Sequence, residues 1–139
     1  MTDRTFTRNI FVFGANLQGI HGAGAAKIAA TQYGAVRGIG VGPTGEAYAI
    51  PTKSRPTRGT ADTLPLAEIA NYVASFLEHA QAHPNDRFLV TRIGCGLAGY
   101  SDAEVAPLFK DPPPNVQLPR AWHTIVFGAE IPDRVSFTE

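Results

Sequence analysis

The segment that decides the fold runs from residue 10 to residue 24 and reads IFVFGANLQGIHGAG. Its first four residues, Ile10 to Phe13, form a continuous apolar run that ends at Gly14, which is typical of a buried strand followed by a turn. Residues 24 to 33 begin with glycine and alanine and continue with small apolar residues that favour a helix. The segment therefore predicts a strand, a glycine-rich loop and a helix in succession.

The middle of the chain repeats this alternation. Residues 34 to 46 contain five glycines and predict a turn-rich connection, and Ala47 to Ile50 predict a strand that Pro51 ends. From Pro65 to Gln81 the apolar residues recur at helical spacing, which predicts a long helix with Thr63 as a possible N-cap and Pro65 in its first turn.

A second junction between a strand and a glycine-rich loop follows. Phe88 to Val90 predict a buried strand that leads directly into residues 92 to 99, which read RIGCGLAG. Ser101 or Asp102 can cap a short helix through Phe109, and three consecutive prolines from Pro112 prevent it from continuing. We expect the last strands at Val116 to Leu118 and at Thr124 to Phe127.

Strands that alternate with helices predict an α/β fold, with a mixed or mostly parallel sheet flanked by helices. A chain of 139 residues, 44% of them apolar, suits one domain over residues 1–139. We expect the proline-rich segment from about residue 111 to residue 139 to pack on this domain, with Trp122 buried against the core.

Charge and cysteine content exclude several classes of protein. Twelve basic residues balance twelve acidic ones, so any site for a polyanion must be local. The single cysteine, Cys95, excludes an internal disulfide framework and a multi-cysteine zinc site, and His79 and His83 have no evident third ligand, so no metal is expected. The short apolar run after a polar start predicts no signal peptide and no membrane span, which suits the cytoplasm.

The two glycine-rich loops predict a site for an anion. Ligands of open α/β sheets bind beyond the carboxyl ends of the strands, where glycine lets backbone amides approach a phosphate and the next helix offers unpaired amides. The first loop is neither the dinucleotide fingerprint nor a Walker loop. A purely structural role in tight turns remains the alternative for each loop.

Three motifs in this order resemble the macro domain family over about residues 10 to 110. Asn16 to Ala26 resembles the first ligand loop of that family, and Arg92 to Leu97 resembles its phosphate-binding loop. Ile50 to Lys53 is similar to the segment that carries a catalytic lysine in the branch of terminal ADP-ribose glycohydrolases and DNA ADP-ribosyl glycohydrolase antitoxins. Short phage and bacterial proteins of unassigned function are also similar. The resemblance implies a compact three-layer sandwich, shortened at its amino terminus.

The resemblance implies a site for ADP-ribose or a related NAD-derived nucleotide, with no cofactor. Lys53 is implied as the nucleophile that attacks the ribose, and Asn16 as the residue that orients it. The remaining implied ligand-binding residues are Gly14, Gly19, His21, Gly22, Ala23, Gly24, Thr52, Arg92, Ile93, Gly94, Cys95, Gly96, Leu97, Ala98, Gly99 and Tyr100. Arg55, Arg58 and Arg92 are candidates for the cations that would favour a neutral Lys53 amine.

The chain departs from that branch at two points. Ala98 stands where some of its members have a catalytic aspartate, whereas antitoxin-like members do not rely on an acid there. The early strands that often supply an acidic contact to adenine are expected to be absent or replaced, so the residue that recognises adenine is not identified.

Several of these residues also have ordinary structural interpretations. Lys53 could be a solvated surface lysine, Asn16 a turn residue in the left-handed conformation, and His21 a loop-surface histidine. Tyr100 could cover the core, and Asp102 could cap a helix. Cys95 could be a nucleophile on a tight elbow, but the sequence shows no Cys, His and acid series to activate it.

The sequence thus leaves three functions open. The leading hypothesis is a hydrolase that releases ADP-ribose from a protein, a nucleic acid or a small molecule through Lys53. The alternatives are a module that binds the nucleotide without turnover and a phage-type interaction protein with no nucleotide site. The leaving group and the oligomeric state do not follow from the sequence.

Overall fold

The computed structural model describes residues 6–55, 61–96 and 98–129. The strands are β1 (Arg8–Asn16), β2 (Gly42–Thr44), β3 (Ala47–Lys53), β4 (Asp86–Val90) and β5 (Val116–Gln117). The helices are α1 (Gly24–Gln32), α2 (Leu66–Ala82), α3 (Asp102–Val105) and α4 (His123–Phe127), with short 3-10 segments at Ala106–Phe109 and Arg120–Trp122.

The strands form one five-stranded sheet in the order β2-β3-β1-β4-β5. The central strand β1 pairs in parallel with β3 on one side and with β4 on the other, and β4 pairs in parallel with β5. Only β2 runs antiparallel, against β3. The sheet is therefore mixed and mostly parallel, and the predicted α/β class is confirmed.

Alternate residues of β1 face the two layers of helices. Ile10 and Val12 belong to a large core that includes the apolar face of α2, with Ile69, Val73 and Phe76 fully buried. Phe11 and Phe13 belong to a smaller core on the opposite face, closed by α1. Helix α1 can approach the sheet closely because the residues it buries, Ala26 and Ala29, are small.

This arrangement brings the ends of three strands to one edge. After β1 the chain turns to α1 on one face, whereas after β3 and β4 it turns to α2 and α3, which pack on the other face. A crevice opens in α/β sheets where consecutive connections leave to opposite faces. Here that crevice lies beyond the carboxyl ends of β1, β3 and β4.

The prediction that Pro51 ends the third strand is wrong, since β3 continues to Lys53. The register between β1 and β3 shifts between Ala15 and Asn16, opposite Pro51. Proline is tolerated at such an irregularity because fewer ladder hydrogen bonds need its missing N–H. The extra residues carry Thr52 and Lys53 to the sheet edge.

The strand expected at Thr124 to Phe127 is also wrong, because this segment forms α4. The buried or half-buried positions are Trp122, His123, Val126 and Phe127, a spacing that puts them on one side of a helix. Gly128 ends the helix in the left-handed conformation, with φ 79°. A short apolar run does not distinguish a strand from a buried helix.

The helix starts differ in detail from the predicted caps. Thr63 pairs with Lys53 in an isolated antiparallel bridge, so it does not cap α2, whose N-cap is Pro65. Ser101, rather than Asp102, caps α3 and forms a capping box with Glu104. The turn-rich connection over residues 34–46 contains the short strand β2. Trp122 is fully buried, as expected.

Candidate functional site

A cleft of about 460 Å³ lies at the carboxyl edge of the sheet. Its walls come from the end of β1, the start of α1, the end of β3 and the loop after β4. No carboxylate lines it within the described part of the chain, and its charged lining residues are Lys53 and Arg92. The lining residues are Gly14, Ala15, Asn16, Ile20, Gly22, Ala23, Gly24, Ala25, Ala26, Thr52, Lys53, Thr91, Arg92, Ile93, Gly94, Cys95, Gly96 and Ala98.

The first loop is held in place by two glycines that allow close contacts between backbones. A Cβ on Gly19, where φ is 76°, would lie 2.4 Å from the Ile39 nitrogen, and a Cβ on Gly40 would lie 2.2 Å from the Asn16 carbonyl oxygen. Gly19 is not among the cleft-lining residues. Its role in the structure is to let the loop pack against residues 38–40.

Asn16 lies at the end of β1 and lines the cleft, but its carboxamide already has partners. Its Nδ2 donates to the Ile20 carbonyl at 3.0 Å, and its Oδ1 accepts from the Ile20 amide at 3.1 Å. The left-handed conformation considered for it is wrong, since positive φ outside glycine occurs in the described residues only at Asp111. One N–H and one lone pair of the carboxamide remain for a ligand.

The amino end of α1 faces the cleft with unpaired amides. The N-cap residue, Ala23, has no side chain that can bond to the first turn, and that turn contains no acidic residue. The segment from Gly22 to Ala26 lines the cleft. An anion is favoured here because the free N–H groups and the positive end of the helix dipole lie at the same place.

The end of β3 places Thr52 and Lys53 on the cleft wall. Thr52 is buried, and its carbonyl accepts the Leu64 amide at 2.9 Å, while Thr63 Oγ1 donates to the Ala98 carbonyl at 3.1 Å. Residues 61–64 thus join the end of β3 to the second loop. Lys53 is half-buried, and the described residues provide no hydrogen bond or ion pair to its amine.

The second loop makes a tight turn at Gly94, whose φ is 76°. A Cβ there would lie 3.3 Å from Val105 Cγ2, so the loop packs closely on α3. In the described ranges, the amides of Gly94 and Gly96 donate to no backbone carbonyl. Both residues line the cleft, as does the start of α1, so their amides are candidate donors to an anion there.

Beneath this loop, Asp102 accepts hydrogen bonds from several side chains. Arg92 donates to it through Nε and Nη2, both at 2.9 Å, and Trp122 Nε1 donates at 2.7 Å. The hydrogen bond from Arg92 is the largest cause that lowers the Asp102 pKa, with smaller contributions from Trp122 and from the Cys95 thiol. Asp102 is therefore neither the cap of α3 nor a cleft residue.

Two predicted ligand contacts have structural partners instead. His21 Nε2 donates to the Ile39 carbonyl at 3.2 Å, and its ring packs edge-on against Phe13 at 5.3 Å. Tyr100 donates its hydroxyl to the Leu64 carbonyl at 2.6 Å and packs against the large core. Neither side chain lines the cleft. Tyr100 covers the core, as its structural interpretation has it, whereas His21 is half-buried against Phe13 rather than exposed on the loop surface.

The structure brings most of the predicted site residues together. Besides His21 and Tyr100, Gly19 and Gly99 lie outside the lining, and Leu97 and Arg58 lie outside the described residues. Sequence reasoning missed Ala15, Ile20, Ala25, Ala26 and Thr91, which do line it. The sequence could have indicated these residues only by their position, because each lies within or next to one of the two glycine-rich loops. Arg55 is exposed just beyond β3.

A smaller cavity of about 200 Å³ lies at the opposite edge of the sheet, and His79 is one of its lining residues. Its ring stacks on that of His83, with 4.1 Å between centroids, and packs against Tyr48. Burial is the first cause that lowers the His79 pKa, and His83 adds to it, while Asp86 opposes. Within the described residues no group of three or more His, Cys, Asp or Glu side chains is arranged to hold a metal.

This lowered pKa predicts a loss of stability in acid. The unfolded chain binds a proton on His79 at a higher pH than the folded chain, so the free energy of unfolding falls as the pH decreases below about 6.5. In His79→Gln we expect a smaller fall between about pH 7.5 and pH 5, measured by urea unfolding at each pH. Glu78→Gln, exposed on the same helix, is the control and should keep the parental slope. Equal slopes for parent and His79→Gln contradict the prediction.

The fold and the cleft define this chain as an α/β protein with a cleft at the carboxyl edge of its mostly parallel sheet. Comparisons of the chain with protein-family models, with curated proteins and with solved structures returned no match. In the ranges that the structure describes, every helix is too short or too polar to cross a bilayer.

Proposed function

We propose that this protein binds ADP-ribose or a related NAD-derived nucleotide in the cleft and hydrolyses an ADP-ribosyl linkage through Lys53. The observation that carries the proposal is the meeting of two glycine-rich loops and one lysine around a cleft that no carboxylate of the described residues lines. Its volume of about 460 Å³ lies within the usual range for small-molecule sites, about 300 to 1,000 Å³.

The diphosphate would lie between the start of α1 and the Gly94 turn. Both sides offer backbone amides, and the helix dipole adds a favourable potential on one of them. Backbone donors hold a phosphate without the desolvation of a long cationic side chain. The binding half of the proposal thus depends little on any single side chain.

Hydrolysis would begin with attack of a neutral Lys53 amine on the anomeric carbon of the distal ribose. The C–N bond forms as the bond to the leaving group breaks, and the leaving group departs with a proton. Opening of the sugar ring gives an imine, which water then hydrolyses to release ADP-ribose and restore the amine. The free N–H of Asn16 is available to orient a ribose hydroxyl.

A binding module without turnover is the second candidate, and one observation favours it. Arg92, one of the cations proposed to lie near Lys53, forms an ion pair with Asp102, with 2.9 Å between Nη2 and Oδ2. The Asp102 carboxylate offsets the positive charge that Arg92 would place beside Lys53. Release of ADP-ribose from an ADP-ribosylated substrate separates the two candidates, since both predict binding.

Binding of ADP-ribose is expected to raise the melting temperature of the protein. At a free ligand concentration of about a hundred times the dissociation constant, the folded state gains about 2.7 kcal/mol. Differential scanning fluorimetry with ADP-ribose, NAD, AMP and cyclic ADP-ribose measures this gain and ranks the ligands. The absence of any shift with millimolar ADP-ribose contradicts the proposal and favours an interaction protein with no nucleotide site.

A further inference from the structure

The carboxylate of Asp102 joins three parts of the chain that are separate in the sequence. It accepts hydrogen bonds from Nε and Nη2 of the Arg92 guanidinium, both at 2.9 Å, and from Trp122 Nε1 at 2.7 Å. The Cys95 thiol, on the same loop as Arg92, is a further group that lowers the pKa of this carboxylate. One side chain on α3 is therefore bonded to the loop after β4 and to the segment that precedes α4.

The partners of Asp102 lie on both sides of the turn that lines the cleft. Arg92 and Cys95 flank Ile93 and Gly94, so one end of this turn is bonded to the carboxylate through Arg92, and the other end carries a thiol that lowers the pKa of the same carboxylate. Trp122 is fully buried and is not among the cleft-lining residues. The network consequently connects the cleft wall to the core beneath the carboxy-terminal part of the fold.

Asp102 is available for this network because α3 does not need it as a cap. Ser101 and Glu104 already form the capping box, with the Glu104 amide donating to Ser101 Oγ at 3.2 Å. A bidentate arginine pair that is supported by an indole N–H has a defined direction as well as charge. Such a pair restrains the backbone that carries the arginine more than an ordinary surface ion pair does.

We propose that Asp102 is a positioning residue of the cleft: it holds the Arg92 to Gly96 turn in the form that presents the Gly94 and Gly96 amides to an anion. The inference rests on the proposed function for the ligand that it uses, ADP-ribose. It assigns to Asp102 no contact with that ligand. Its consequence is that changes at Trp122, outside the cleft, alter affinity in the cleft.

The test measures the dissociation constant of ADP-ribose by calorimetry for the full chain and its variants. Asp102→Asn loses the negative charge that pairs with the Arg92 guanidinium, so it is expected to weaken ADP-ribose binding about tenfold or more. Asp102→Glu restores the carboxylate and should recover most of the affinity. Trp122→Phe keeps an aromatic ring in the core but removes the indole donor, so we expect weakening of about threefold. Glu104→Ala is the control, since it removes the side-chain acceptor of the capping box of the same helix and should leave the affinity unchanged.

A measurement without nucleotide keeps this inference separate from the proposed function. Cys95 is the only cysteine of the chain, so its rate of alkylation by iodoacetamide reports on the second loop alone. We expect Asp102→Asn to raise this rate about fivefold or more, since the turn that carries the thiol loosens, and Glu104→Ala to leave it unchanged.

If the parent does not bind ADP-ribose, the proposed function fails, and the alkylation rates alone decide the role of Asp102. Parental affinity and a parental alkylation rate in Asp102→Asn overturn the positioning role. An equal loss of affinity in Glu104→Ala also overturns it, because the effect would then follow helix stability rather than the network.

Discussion

Lys53→Ala is expected to abolish the release of ADP-ribose from an ADP-ribosylated substrate, lowering the rate by about a thousandfold or more. The variant removes the amine that would form the C–N bond to the ribose. The backbone of β3 and both glycine-rich loops remain, so the dissociation constant of ADP-ribose should change by only a few-fold. The rates are measured on ester-linked, DNA-linked and nucleotide substrates.

Borohydride trapping identifies the covalent step directly. Reduction of the imine during turnover should leave a stable sugar adduct on the parent at Lys53, located by peptide mass spectrometry, and none on Lys53→Ala. Lys27→Ala is the matched control, because Lys27 is an exposed lysine on α1 and does not line the cleft. It should be trapped and turn over like the parent.

Two results of these experiments would contradict the proposed hydrolysis through Lys53. If the parent binds ADP-ribose but gives no adduct and no turnover with any of the three substrate classes, the protein is a binding module. Turnover that survives in Lys53→Ala would instead assign the reaction to a group other than this amine.

Gly40→Ala is expected to lower the free energy of unfolding by about 3 kcal/mol, the upper part of the usual range for overpacking. The new Cβ would lie 2.2 Å from the Asn16 carbonyl oxygen and 2.9 Å from the Leu17 carbonyl group. These atoms belong to the backbone at the end of β1, so no side chain can rotate away to relieve the contact. Urea unfolding followed by circular dichroism measures the change.

The same variant should also weaken the binding of ADP-ribose, because the backbone that the new Cβ displaces carries Asn16, which lines the cleft. Gly22→Ala is the control for stability, since a Cβ at Gly22 meets no atom within 4 Å, and its free energy of unfolding should change by less than about 0.5 kcal/mol. Comparable unfolding energies for the two variants would show that the first loop can shift away from residue 40 at little cost.

The sequence predicted the alternation of strands and helices well, for physical reasons that are local. Ile10 to Phe13 is apolar at every position because β1 is the central strand and is covered on both faces. The apolar spacing of α2 shows directly in Ile69, Val73 and Phe76, which are buried on one face. Patterns of this kind report burial, so they identify elements without knowledge of their neighbours.

Local patterns failed where a longer-range contact decided the outcome. Pro51 remains in β3 because the pairing with β1 is irregular at that point. The segment from Thr124 to Phe127 forms α4 directly after Trp122 and His123, which are buried in the core. A further strand there would have to pair with β5, the edge strand of the sheet, which is only two residues long. Neither condition is visible in the residues themselves.

The sequence by itself determined that two glycine-rich loops follow buried strands and that Lys53 lies between them, because turn chemistry and apolar runs are properties of neighbouring residues. Only the tertiary structure decided how these glycines are used. Gly19 and Gly40 allow backbones to pack, whereas Gly94 and Gly96 line the cleft. It also decided that Asp102 joins Arg92 to Trp122, ten and twenty residues away. Such contacts form only when the helices pack on the sheet, so they cannot be predicted from the order of residues along the chain.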